Sequence, residues 1–500
     1  MLKISPSRKT FIENARVGRI SPVYAVLPFM SPQDVYESLE TPNSFLLESI
    51  KGPNKISRYS FIGSEPFLEF SVKNGSVKIT RKRKKRVTSE SPLRKLRELV
   101  NAYRASPVKG VPPFTGGAVG IMSYDFIHYF ERLPKTAADD LNIPDAHFLF
   151  IDTAVAIDHK LRKTFLVSCP AAEEIIAESG GPVKSWGSYY DSACEKINNL
   201  NTKISHLFLE PQKDIKTPGK KKSKSSIKIR HEMSKKNYMK IVGRAKEYIR
   251  AGDIFQANLS QRVSADIGDA SAWEIYKVLS RINPSPFAAY MNMGDYYIAS
   301  SSPERLVRVN GTTVETRPIA GTRPRGEDAE GDREMRNDLL LNEKERAEHL
   351  MLIDLERNDL GRISDYSSVK VDELMITEEY SHVIHIVSNV KGRMAAGKDC
   401  FDAIRATFPG GTITGVPKVR CMEIIDELEP VVRGPYTGAI GYIGFTGAMD
   451  LNIIIRTFVI KDSTAYVQAG AGIVADSDPE KEYYETLKKA EALIKTLEVL

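Results

Sequence analysis

Cysteine is scarce in this chain: four residues among 500, Cys169, Cys194, Cys400 and Cys421, spaced too widely for a metal-ligand pattern or a disulfide framework. That argues against a disulfide-stapled secreted module and a cysteine-ligated zinc domain. No apolar run reaches the roughly 18 residues of a membrane helix. The opening stretch, MLKISPSRKTFIENARVG, lacks the apolar core that a signal peptide needs. A protein of the reduced cytoplasm, without a membrane partner, is the expectation. No internal repeat is visible, which sets solenoids and propellers aside.

What is present is ordinary for a globular chain, with 42% hydrophobic and 27% charged residues. The length suggests two large domains or three smaller ones. The net charge of +7 is unevenly placed. KITRKRKKR (78–86) and KDIKTPGKKKSKSSIKIR (213–230) together carry +14, so the rest of the chain carries −7. Neither run interleaves aromatic side chains with its charges, as a single-strand nucleic-acid binder would. No nucleic-acid partner is therefore expected. The first run follows alternating residues around Asn74-Gly75, a hairpin signal, and reads as a solvated strand or loop. The second, rich in Lys, Ser, Pro and Gly, reads as a flexible connector.

The connector, taken as 210–230, divides an N-terminal part (20–209) from a C-terminal part (231–495). In the first, short strands (SRYSFIG, HFLFIDTAVAID, KTFLVSC) mix with helical stretches such as SPLRKLRELVNAYRA. The second opens on the helix SKKNYMKIVGRAKEYIRAG, runs through β-rich segments separated by glycine turns, and closes on a helix. Strands and helices do not alternate regularly. The expected class is α+β with largely antiparallel sheets.

Chemistry concentrates in the C-terminal part. RPIAGTRPRG (317–326) reads as a cationic turn suited to a negatively charged group, though a surface loop has the same composition. In GDIFQANLSQRV the alternation sends Gln256, Asn258, Ser260 and Arg262 to one face, either toward water or toward a polar cavity. Glu304 follows Pro303, Glu348 borders an apolar run, and Glu482 and Glu485 share a face of the final helix, with Asp478 as its N-cap and Pro479 at its first position. Carboxylates from separate elements suit Mg²⁺, while for any single glutamate a solvated helix face is the simpler reading. Arg456 stands in the apolar run LNIIIRTFVI and needs a partner, either a substrate carboxylate or a structural ion pair.

Taken in order, LLESIKGPNKISRYSFIG, GDIFQANLSQR, SSSPERL, PIAGTRPRG, EHLMLIDLERNDLGR, GVPKVRCMEIIDELEP, RGPYTGAIGY and GAGIVADSDPEKEYYET resemble the chorismate-utilising enzymes over about residues 20–495. The large subunits of anthranilate synthase are the nearest branch and those of aminodeoxychorismate synthase a close relative. The resemblance implies two packed sheets flanked by helices, chorismate as substrate and Mg²⁺ as cofactor. It implies Glu304 as general acid, His385 in the later elimination, and Glu348, Glu485 and the accessory Glu482 as metal ligands. Gly321, Thr322, Tyr436, Arg456, Gly470, Ala471 and Gly472 match substrate-binding positions. Ala320 stands where many aminodeoxychorismate synthases carry a nucleophilic lysine, and Gln256 where water-using relatives carry a lysine base, so free ammonia is the implied nucleophile. No cysteine has the glycine-flanked setting of a glutaminase, which implies a separate glutamine amidotransferase subunit. Ser49 matches a tryptophan-binding position, with Pro286, Phe287 and Ala288 as the facing wall. The last two depart from the usual Tyr-Met. FQANLS, NPSPFAAYM, FPGGTITG and MDLNIIIRT also lean toward the aminodeoxychorismate branch. Anthranilate formation is the expected activity, with aminodeoxychorismate formation as the alternative.

Overall fold

A computed structural model describes residues 2–53, 55–82, 84–178, 184–208, 227–379 and 383–500. Two sheets of 13 and 12 strands carry the fold, and the paired strands run antiparallel, as the class reading expected. The sequence on either side of the connector contributes to both. Ser44–Glu48 pairs with Phe287–Asn292 in the larger sheet, and Gly117–Met122 pairs with Ala439–Gly444 in the smaller. Most of the connector itself, 210–226, lies outside the described residues.

The sheets face each other across an apolar layer. Phe45, Ala289, Met291 and Ile298 of one meet Val119, Ile121, Leu149 and Ile440 of the other. Helices cover the outer faces, burying Phe11, Tyr36, Ile197, Tyr276 and Leu493 on one side and Leu96, Val100, Phe401 and Ile404 on the other. Local signals explain the elements. Asp478 caps the helix Pro479–Val499, accepting from the N–H groups of Glu480 and Lys481. Asn74 and Gly75, at φ 49° and 79°, form the tight turn of the hairpin, as their sequence signal expected. The basic run spans the end of the strand Ser76–Arg81 and the exposed edge strand Lys84–Thr88, where like charges discourage edge-to-edge pairing.

HFLFIDTAVAID is two strands instead of one. Ala146–Ile151 belongs to the smaller sheet and Thr153–Asp158 to the larger, with the chain crossing at Asp152. Two more crossings matter for function. The chain passes from Tyr297–Ser302 to Arg305–Asn310 through Pro303 and Glu304, and from Met449–Ile453 to Thr457–Lys461 through Ile454, Ile455 and Arg456.

Candidate active site

Those two crossings are stitched together. The Ile453 N–H donates to the Glu304 carbonyl at 3.0 Å, the Ser301 N–H to the Arg456 carbonyl at 3.1 Å, and the Ser302 hydroxyl to the Ile453 carbonyl at 2.6 Å. Arg456 is therefore not within a strand, as its apolar neighbours suggested. It sits at φ 50° in the break between two strands that belong to different sheets. Among the described residues no carboxylate forms an ion pair with its guanidinium. Burial lowers its pKa, and the charge of Glu304 acts the other way. Glu304 is buried, and desolvation pushes it up to about 7 against the opposing effects of Thr412, the Ile319 N–H, Arg456 and Lys489.

His385 lies on the strand Val383–Arg393, opposite Thr322 in register, with Nδ1 and the threonine hydroxyl 2.9 Å apart. Desolvation first, then the charge of Arg456, push it down to about 3, so the imidazole is neutral. Ala320 and Gly321 precede Thr322 on the strand Ile319–Pro324, whose register slips between Ala320 and Thr322, with Gly321 at φ 64°. A methyl group on Gly321 would lie 2.8 Å from Leu339 and 2.9 Å from a Glu345 oxygen. Within RPIAGTRPRG, Arg317 ends one strand and Ile319–Pro324 forms an edge strand, so the segment is not an open anion-binding turn. Its arginines are engaged by carboxylates: Arg317 by Glu373 and Glu378, Arg323 by Asp338 and Glu345, Arg325 by Asp332 and Glu379.

The strand Gln256–Asp266 is buried on both faces as far as Ala265, so the half-exposed reading fails. It pairs with Thr464–Ile473, which sets Asn258 against Gly472, Leu259 against Ala471 and Ser260 against Gly470. Gln256 donates to Glu348 Oε1 at 3.2 Å. Burial raises the pKa of Glu348, and the charges of Glu345 and Glu485 add to that rise while Gln256 and Lys489 oppose it. Glu485, at the exposed end, is 2.9 Å from Lys489, which also donates to the Gly470 carbonyl at 3.1 Å. Glu482, one turn earlier, is buried and bears on the Tyr238 hydroxyl. Among the described residues no three acidic, histidine or cysteine side chains form a closed metal cage. Mutually repelling carboxylates from two helices nonetheless fit Mg²⁺, which keeps several waters.

Sequence reasoning missed the support beneath the site. Arg433 forms a buried ion pair with Glu429 at 2.7 Å, donates to the Asn258 carbonyl at 2.6 Å, and lies under the Tyr436 ring. Glu429 also accepts from the Ser260 N–H and hydroxyl, each at 2.8 Å. The signal available was an arginine in RGPYTG following the buried acid of DELEP. Glu356, buried with a raised pKa, lies within the electrostatic reach of Glu304, and Asp359 beside it pairs with Lys418 at 2.6 Å.

Ser49, Pro286, Phe287 and Ala288 come together elsewhere, in a cavity of about 770 Å³. The Ser49 hydroxyl donates to the Pro286 carbonyl at 3.2 Å, and the Arg305 guanidinium lies 5.0 Å from the Phe287 ring centre. Arg305 and Asn452 line this cavity; Arg305 follows Glu304 in the chain, and Asn452 precedes Ile453, whose N–H donates to the Glu304 carbonyl.

The profile of the chorismate binding enzyme family matches residues 42–495. The chain belongs to this family. It is 42% identical over 487 residues to anthranilate synthase component 1 of Acetivibrio thermocellus, covering 95% of this chain and 96% of that one. It is also 41% identical over 454 residues to aminodeoxychorismate synthase component 1 of Bacillus subtilis, covering 91% of each. The crystal structure of anthranilate synthase component I from Streptococcus pneumoniae superposes with a TM-score of 0.75 at 36% identity, covering 93% of this chain and 97% of that one.

Proposed function

We propose that the chain aminates chorismate with ammonia and eliminates pyruvate to give anthranilate. The observation that carries this reading is the pair at the sheet crossings: a half-buried arginine, Arg456, without an ion-pair partner among the described residues, within electrostatic reach of a carboxyl, Glu304, whose pKa is raised to about 7. A dicarboxylate that must lose a hydroxyl uses both. Arg456 and Tyr436 bind it, with Gly321, Thr322, Gly470, Ala471 and Gly472 shaping the floor. Ammonia attacks C2 as the bond from C4 to its hydroxyl breaks, and Glu304 gives its proton to the departing oxygen. His385 serves the second step, in which the C2 proton is lost, the enolpyruvyl C–O bond breaks, and the ring becomes aromatic. Glu348 and Glu485, with Glu482 as an accessory ligand, would hold Mg²⁺, which when bound would polarise the ring carboxylate. With Glu348→Gln or Glu485→Gln the Mg²⁺ needed for half-maximal turnover should rise by at least about tenfold. Unchanged magnesium titrations in both variants would remove the metal assignment.

The ammonia comes from a separate glutamine amidotransferase. Burial pushes the thiols of Cys169, Cys400 and Cys421 up to about 12, the reverse of what a nucleophilic cysteine needs. Unpaired cysteines also fit a reducing cytoplasm, and among the described residues no helix is long and apolar enough to cross a membrane. Residues 231–495 form the catalytic part and 20–209 the part that helps enclose an effector. The cavity around Ser49 takes L-tryptophan, with Pro286, Phe287 and Ala288 as its wall. Calorimetry without a binding heat for tryptophan would remove that ligand. Aminodeoxychorismate formation is the second reading, favoured by the wall formed by Phe287 and Ala288.

A further inference from the structure

Two amide oxygens on one face of the strand Gln256–Asp266 lack a partner among the described residues. Gln256 Oε1 and Asn258 Oδ1 are buried and accept no hydrogen bond from any described residue, and the two side chains are 5% and 8% exposed. An unpaired buried acceptor costs about 1–3 kcal/mol, so two on one strand face mark a place where a donor belongs. The orientation of the Gln256 amide follows from its neighbour. Gln256 turns its nitrogen to Glu348, a carboxylate that accepts, which leaves its oxygen for the cleft. Asn258 is held through its backbone, its N–H donating to the Thr414 carbonyl at 2.8 Å and its carbonyl accepting from Arg433 at 2.6 Å.

The facing strand makes room for these amides. A methyl group on Gly472 would lie 2.4 Å from Gln256 Nε2, and one on Gly470 would lie 2.4 Å from Asn258 Oδ1. The carboxylates of chorismate have no proton to donate, so they leave both oxygens unpaired. Its ring hydroxyl is the group assigned to Glu304. Ammonia has three N–H donors and one lone pair. Two acceptors on one side bind it and leave the lone pair pointing away from them.

We propose that Gln256 and Asn258 together form the seat of the incoming ammonia, with Asn258 as its second acceptor. This rests on the amination reading above. Ammonium chloride titrations at constant pH, with saturating chorismate and Mg²⁺, test it on the full chain. Asn258→Leu should raise the KM for ammonium about tenfold, the value of one lost hydrogen bond, and leave the KM for chorismate within about twofold. Asn258→Asp keeps an oxygen acceptor in the same volume and should hold the ammonium KM at or below that of the parent. A rise in the aspartate variant would overturn the seat, even if the leucine variant does not fold. An unchanged ammonium KM in Asn258→Leu, or equal rises for both substrates, would overturn it too. Failure of the parent protein to aminate chorismate at all would instead overturn the reaction on which the seat rests.

Discussion

Glu304 has to carry a proton at a pH where ammonia still keeps its lone pair. A solvated glutamic acid would be ionised there. Burial pushes this one up to about 7, and its protonated share falls as pH rises through that value. At constant free ammonia, turnover should therefore decline on the basic side of about 7, and Glu304→Gln should lower it by about 10²–10⁴. A variant with near-parental turnover, or a profile that stays flat through that pH, would contradict the role. The position of Glu304 was legible from its proline and its motif. Its burial was not, because the surrounding groups, Thr412, Arg456 and Lys489, come from distant segments. Arg456 shows the same limit. Apolar neighbours announced burial, but nothing local revealed that the residue sits in a break between sheets at φ 50°.

Among the elements, the strand Ile319–Pro324 departs furthest from its sequence reading. Three arginines in ten residues suggest an anion site, until Asp332, Asp338, Glu345, Glu373, Glu378 and Glu379 are brought up from other segments to engage them. Gly321 is the part of that stretch whose composition was a sound guide, since its φ of 64° disfavours any side chain and a methyl group there would press on the tips of Leu339 and Glu345. Gly321→Val should cost about 1–3 kcal/mol of stability. It should also disturb the adjoining pair of Thr322 and His385, so activity should be lost well below the melting transition. Thermal melts and turnover measured together check this, and a variant with parental activity would mean that the bulge does not shape the site. Helix caps and the Asn74-Gly75 turn were legible because their chemistry is local. The polar face of Gln256–Asp266 was left undecided because alternation does not tell water from a cavity.

Across the whole molecule, both sheets continue from the N-terminal to the C-terminal part. The cavity around Ser49 shares strands with the crossing that holds Glu304: Arg305 follows Glu304, and Asn452 precedes Ile453, whose N–H donates to the Glu304 carbonyl. The antiparallel class was legible from irregular element order. The shared sheets were not, because strand partners more than two hundred residues apart leave no mark in either segment alone. The central claim is the product, and the two branches of the family separate cleanly there. Amination at C2 followed by elimination releases pyruvate and leaves a fluorescent aromatic amine. Amination at C4 keeps the enolpyruvyl group attached. The most direct test incubates the purified chain with chorismate, Mg²⁺ and either ammonium or glutamine, and follows pyruvate together with fluorescence. The account predicts one pyruvate and one anthranilate for each chorismate consumed with ammonium, and neither with glutamine. A non-fluorescent amino product without pyruvate, or turnover with glutamine by the single chain, would contradict it.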